Sequence, residues 1–248
     1  MNNKNSRNME LPVPDNKNIF IIGGTAALLT VLVAFGEILI TFLPGGSEQV
    51  ETVIDWFTQL QNNWFMGLRN LGFLNIIMFA LGIPIYFALY TAHRKVNKTF
   101  AALAMIISFI GVAVFFATNR AFSMLELSNQ YANAITDSQR SGFLVAGQAM
   151  LSVGKSHSPG TFICFFLGEL AGILISLVIL KGKIFSKAAA LIGIMGFALL
   201  LFFEVFTSFV PVLKEISMIL AIGGGILNVI WLILLGIGFF KLVQKETG

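Results

Sequence analysis

Three glutamates lie inside strongly apolar segments of the sequence, and they are the residues with the clearest potential for chemistry. Glu37, Glu169 and Glu204 each stand within a run of residues long enough to cross a lipid bilayer. A charge at the membrane centre costs about 2.5–3.5 kcal/mol on insertion scales, so such residues are rare and commonly functional. A carboxyl without a partner at that depth favours its neutral form and is then a candidate proton carrier.

The three glutamates share a similar depth. Glu37 and Glu204 each precede the end of an apolar run by six residues, and Glu169 follows the start of its run by eight. With a rise of about 1.5 Å per residue, all three lie roughly 9–12 Å below the same membrane face. The spacing therefore predicts one polar pocket near that face.

Polar residues at the same level are candidate partners. Asn119 and Arg120 follow the third apolar run, and Asn75 lies in the second. We expect Arg120 to pair with at least one glutamate. The candidate binding or proton-carrying residues are Glu37, Glu169, Glu204, Arg120, Asn119 and Asn75. The alternative is that each glutamate is neutral and hydrogen-bonds a neighbouring helix as a packing device.

The composition excludes several classes of protein. Hydrophobic residues make up 56% of the 248 and charged residues 11%, whereas a soluble domain carries about 25% charged residues. The net charge of +4 does not indicate nucleic acid, because the basic residues sit in short segments between apolar runs. One cysteine, Cys164, excludes an intrachain disulfide and a multi-cysteine metal site. Without an HExxH motif or a Walker loop, we predict no catalytic residues, metal or cofactor.

Six apolar runs have about the length that crosses the hydrocarbon core, which requires roughly 20 helical residues. They are residues 19–43, 71–90, 100–118, 161–180, 188–210 and 216–240. The sequence therefore predicts an all-α integral membrane bundle of six transmembrane helices. Residues 1–18 are polar and contain Pro12 and Pro14, which predicts a disordered cytoplasmic tail.

The distribution of basic residues predicts the orientation in the membrane. Eleven lie in the tail, the second and fourth connections and the C-terminus, against five in the longer segments of the other side. By the positive-inside rule, both termini are cytoplasmic. His93 and His157 fall in connections between the runs, and we expect both side chains to be solvated.

The two long connections then face outward, and their patterns are helical. Val50, Val53 and Phe57 share one face at helical spacing, and residues 120–135 prolong the third run. Thr136 or Asp137 begins a further helix. We predict that amphipathic helices, at about 47–66 and 120–158, cap the extracytoplasmic face. The alternative is that they lie on the lipid surface.

One polar segment carries a family resemblance. Residues 119–136 read NRAFSMLELSNQYANAIT, followed later by Phe185-Ser186-Lys187-Ala188 with Gly193-Ile194, and by Trp231, Gly236 and Leu242 in the last run. Together they resemble uncharacterised prokaryotic multi-pass membrane proteins of the domain-of-unknown-function 4386 type, over most of residues 20–243. The resemblance implies a bacterial or archaeal cell membrane and a similar number of spans. It supplies no activity and no catalytic residues.

The function that this sequence favours is a small transporter or ligand-binding membrane protein that uses an outward-facing polar pocket, with proton coupling as one option. Its expected partners are the lipid bilayer and a small-molecule or lipid ligand. An intramembrane enzyme acting on a lipid or prenyl substrate is an alternative, which requires glutamates that face a lateral opening. A non-catalytic partner or sensor subunit is another, favoured by a sealed, dry cluster. The sequence does not determine the oligomeric state.

Overall fold

The structure is a computed structural model that describes residues 16–43, 50–154 and 156–247. Over these residues the chain is helical, without a β-strand. The helices are α1 (Lys17–Thr41), α2 (Val53–Asn62), α3 (Trp64–Asn70), α4 (Phe73–Thr118), α5 (Ala121–Ala132), α6 (Asp137–Leu151), α7 (Phe162–Gly182), α8 (Lys187–Phe209) and α9 (Lys214–Thr247), with a short 3-10 helix at Pro211–Leu213. Most of the predicted tail 1–18 lies outside the described residues, as do residues 47–49 of the predicted cap.

Helices of membrane-spanning length dominate the described chain. Five are long and apolar enough to cross a bilayer: Lys17–Thr41, Phe73–Ala132, Phe162–Gly182, Lys187–Phe209 and Glu215–Gln244. The prediction of an all-α membrane protein is confirmed at this level. Five candidate spans are found and not the predicted six, because two of the predicted runs are joined in one helix. That helix continues through residues 91–99, where the sequence suggested a loop.

Helix α4 folds back on itself at Asn97, whose backbone is non-helical (φ −153°, ψ 89°). Phe79 and Phe115 are 36 residues apart in the sequence, roughly 54 Å along a straight helix. Their rings nevertheless stack with centroids 4.0 Å apart. The Asn97 side chain accepts a hydrogen bond from the Phe100 N–H at 3.2 Å, as an N-cap does. Asn97 therefore ends one half of α4 and begins the other, and the two halves form an antiparallel hairpin.

The long helices pack in a closed ring in the order α1, α4, α7, α8, α9 and back to α1. Small residues at the contacts, including Ala27, Ala88 and Ala104, are fully buried, which lets the helix backbones approach closely. Trp231 and Phe239 are the bulkiest of the almost fully buried side chains in this core. The core occupies the half of the bundle nearer Asn97, and the other half is more polar.

His93 belongs to this core, so the prediction that it is solvated is wrong. The residue is fully buried, and its ring stacks on Phe185 with centroids 5.4 Å apart. Its Nδ1 lies 2.9 Å from the Leu89 carbonyl oxygen. The error has a simple cause: α4 remains helical through this segment, and His93 therefore follows Leu89 by about one turn on an inward face.

Helices α2, α3, α5 and α6 form a second assembly, here called the short-helix layer, with its own apolar core around Phe57, Leu60 and Met124. Both longer connections begin a helix with a capping box, at Thr52 with Asp55 and at Thr136 with Gln139. Thr136 is thus the N-cap, one of the two residues predicted. A break at Asn119 and Arg120 separates α5 from α4, where the sequence suggested a prolonged span.

Candidate functional site

A cavity of about 550 Å³ lies where the polar half of the bundle meets the short-helix layer. Its volume falls in the range of about 300–1,000 Å³ typical of small-molecule sites. Polar and charged residues from α1, α3, α4 and two connections line it: Glu37, Arg69, Asn70, Asn75, Thr118, Asn119, Arg120, Ser156, His157 and Thr161. The predicted residues Glu37, Asn75, Asn119 and Arg120 therefore share one cavity.

Glu37 forms an ion pair in the cavity wall, with an arginine that the sequence did not single out. Arg69 Nη2 lies 2.8 Å from Glu37 Oε1, and the two side chains are 6% and 34% exposed respectively. The same nitrogen donates to the Glu37 carbonyl oxygen at 2.9 Å and to the Thr41 hydroxyl. Arg69 Nη1 donates to Asn70 Oδ1 at 2.9 Å. These bonds attach α3 to the end of α1 and fix the Arg69 guanidinium beside the cavity.

Arg120 lines the same cavity but does not pair with a glutamate, and that prediction is wrong. The residue is 8% exposed, and its Nη1 donates to the Leu151 carbonyl oxygen at 3.1 Å. No ion pair in the described part of the chain includes Arg120. The extended backbone at Asn119 ends α4, and Arg120 then reaches the end of α6 instead of the bundle interior.

Glu204 pairs with His157, a residue from the connection between α6 and α7. His157 Nδ1 lies 2.6 Å from Glu204 Oε2, and the side chains are 36% and 1% exposed. The His157 ring packs against Phe165 and Phe203, with centroids 4.1 Å and 4.8 Å away. Its backbone has a left-handed φ of 60°, a conformation in which histidine is enriched among non-glycine residues. His157 therefore keeps the solvent contact that was expected of it, but it is also paired with Glu204, and no pattern in the sequence marks this pair.

Glu169, on α7, is not among the residues that line the cavity. One of its oxygens, Oε2, is buried without a hydrogen-bond partner in the described residues. The carboxyls of Glu169 and Glu204 are close enough for like charges to repel. Of the three glutamates predicted to share a chamber, Glu37 lines it, Glu204 is connected to it through His157, and Glu169 does not line it.

The side chains on the cavity wall favour one kind of ligand chemistry. Two arginines and three asparagine amides offer N–H donors, and guanidinium groups bind carboxylate and phosphate oxygens through parallel hydrogen bonds. Among the described residues, no group of three or more His, Cys, Asp or Glu side chains is placed to hold a metal ion. The wall is therefore suited to an oxyanion.

A family model described as "Domain of unknown function (DUF4386)" matches residues 21–236, a range that contains every residue of the cavity wall named above. No curated protein and no solved structure matches the chain.

Proposed function

Because the chain belongs to the DUF4386 family, whose description assigns no activity, we propose its function from the cavity: it is a membrane protein that binds a small oxyanion, a carboxylate or a phosphate. One observation carries the proposal. Arg120 is buried and lines the cavity, and no carboxylate of the described residues pairs with it.

The charges around the cavity support an anionic ligand. The Glu37 carboxylate balances the charge of Arg69 at 2.8 Å, whereas the Arg120 guanidinium donates to the Leu151 backbone carbonyl and forms no ion pair among the described residues. A guanidinium has five N–H donors, and a buried charge is costly unless it is paired. An oxyanion in the cavity supplies the opposite charge, and Asn75 and Asn119 on the same wall add further donors.

We further propose that the chain crosses the membrane six times, since the two halves of α4 each have the length of a span. Arg94, Lys95 and Lys98 lie at the turn of the α4 hairpin, and Lys181, Lys183 and Lys187 lie between α7 and α8. The positive-inside rule then assigns that end to the cytoplasm of a prokaryotic cell. In this orientation the cavity faces outward beneath the short-helix layer, and both termini are cytoplasmic.

The same site is compatible with a small transporter, because transporters bind polar substrates between helices inside the membrane. Transport additionally requires the apolar core beneath the cavity to open. Uptake of a bound anion into sealed vesicles distinguishes transport from binding alone. Chemical conversion of the anion would instead favour an enzyme, and a cavity without ligands would favour a sensor or partner subunit.

Thermal unfolding of the purified protein in phosphatidylcholine nanodiscs tests the proposal. Succinate and inorganic phosphate are the probes, and succinamide is the uncharged control for succinate. We expect a saturable rise in Tm with at least one probe and none with succinamide, because ligands that bind only the folded state stabilise it. Arg120→Gln should weaken the binding by roughly 10-fold to 100-fold, as for a lost charge-assisted hydrogen bond.

Arg140→Gln is the matched control, since this arginine is 50% exposed and pairs with Asp137 away from the cavity. A lipid headgroup carries the same phosphate chemistry, so nanodiscs that contain phosphatidylglycerol form a second arm. Stabilisation by that lipid, with no effect of soluble anions, would identify the headgroup as the ligand. If neither soluble oxyanions nor the anionic lipid raises the Tm of the wild type, the proposal is wrong.

A further inference from the structure

We propose that the His157–Glu204 pair is a proton-binding site, and that it takes up one proton when an oxyanion occupies the cavity. The inference rests on the proposed function and names the co-ligand of the same site. The sequence suggested an isolated glutamate as the proton carrier, and the proton is assigned here to a specific pair of side chains instead.

The geometry of the pair suits proton uptake from the cavity. Glu204 is 1% exposed, and its Oε2 lies 2.6 Å from His157 Nδ1. A carboxylate in this position accepts a hydrogen bond from Nδ1–H, as in sites where a carboxylate fixes the tautomer of a histidine. The second ring nitrogen, Nε2, is then the atom that can accept a proton, and His157 is one of the residues that line the cavity.

Proton transfer changes the charge of the pair in a defined way. With a neutral imidazole, the pair carries the single negative charge of Glu204. When Nε2 accepts a proton from water, the pair becomes neutral overall, and Nε2–H becomes an additional hydrogen-bond donor. The negatively charged pair repels an oxyanion. The protonated pair carries no net charge and can donate a hydrogen bond to the oxyanion.

Among the described residues around the pair, no group other than His157 is placed to balance the negative charge of Glu204. Its second oxygen, Oε1, is buried without a hydrogen-bond partner. On α7, the Glu169 carboxyl and the Cys164 thiol are electrostatic neighbours of Glu204, and neither group can carry the positive charge that would balance it. Arg120, in the connection before α5, lines the same cavity. The opposite charges of Glu37 and Arg69, which also line it, balance each other. His157 is therefore the group that can compensate the Glu204 charge directly.

Thermodynamic reciprocity gives the direction in which the anion affinity changes with pH. If anion binding favours the protonated pair, protonation raises anion affinity by the same factor. Affinity should therefore rise as pH falls through the titration of the pair, by up to about tenfold per pH unit for one proton. It should level off once the pair is protonated in the free protein as well.

Titration calorimetry with succinate tests the inference, if succinate is the probe that raises the Tm of the wild type. At an alkaline pH, binding is measured in two buffers of different ionisation enthalpy. The difference in heat gives the number of protons taken up, and we expect about one. His157→Gln and Glu204→Gln should abolish the uptake, while Glu126→Gln, a control on α5 outside this cavity, should not change it.

A second readout does not depend on the variants. The chain has two histidines, so ¹⁵N spectra of histidine-labelled wild type should show one imidazole, His157, becoming imidazolium when succinate is added. Binding without proton uptake overturns this inference and leaves the proposed function standing. Uptake that persists in both variants, or that leaves both histidine spectra unchanged, also overturns it. Absence of binding by any oxyanion overturns the proposed function itself.

Discussion

Replacing Glu37 by Gln removes the charge that balances Arg69 and leaves a side chain of similar shape. The two residues are 32 positions apart in the sequence and join α1 to α3. Arg69 keeps its bonds to the Glu37 carbonyl, the Thr41 hydroxyl and Asn70 in such a variant. The loss is therefore confined mainly to the interaction between the two charges.

The expected magnitude follows from the burial of the two side chains. Exposed ion pairs contribute about 0.2–1 kcal/mol, and breaking a fully buried pair costs about 3–5 kcal/mol. The Arg69 side chain is 6% exposed and that of Glu37 is 34% exposed, with 2.8 Å between their charged atoms. The pair lies between these limits, and we expect an interaction energy of about 2 kcal/mol.

A double-mutant cycle isolates this energy. Glu37→Gln, Arg69→Gln and the double variant are unfolded reversibly in mixed micelles by a denaturing detergent, and the free energies of unfolding are compared. The pair Asp137 and Arg140 is the control, because both side chains are largely exposed and 3.8 Å apart; its cycle should give no measurable coupling. An interaction energy below about 0.5 kcal/mol for Glu37 and Arg69, the usual error of additivity, would refute the reasoning.

Two further predictions concern the bundle. A Cβ at Gly23 would overlap the Cβ of Ala88, so Gly23→Ala should destabilise the protein by about 1–3 kcal/mol and lower its Tm. Gly82→Ala, where the same atom would enter open space, should have no such effect; equal losses would contradict the packing of α1 on α4. The Asn119 amide reaches the Leu71 carbonyl at 3.5 Å, so cysteines placed at these two positions, in a background without the native thiol, should be joined by a short crosslinker. A third cysteine at position 97, at the turn of the hairpin, should not be crosslinked to position 71 or to position 119. Crosslinking of position 97 to either of these positions would rule out the fold-back of α4.

The membrane helices were predictable because their formation depends on local composition. A run of about 20 apolar residues is most stable as a helix in the bilayer whatever surrounds it. The predicted run 19–43 corresponds to Lys17–Thr41, 161–180 to Phe162–Gly182, and 188–210 to Lys187–Phe209. The N-cap at Thr136 was equally local, since its partner Gln139 is three residues away.

The continuity of α4 was not predicted. The basic segment around Arg94 has the composition of a loop, but the chain stays helical there and reverses at the single residue Asn97. The burial of His93 follows from that continuity. Whether a short polar segment is a loop or a helical turn depends on the packing of the helices on both sides, which composition does not record.

The sequence by itself determined that this is a helical membrane protein, that three of its glutamates lie inside apolar helices, and which polar residues were expected at a similar depth. Tertiary structure alone decided their partners: Arg69 and not Arg120 pairs with Glu37, and His157 meets Glu204 across 47 residues. Depth along a helix follows from counting residues, because the rise per residue is constant. The direction in which a side chain points depends on how each helix is rotated against its neighbours, and that rotation is set by packing over the whole bundle.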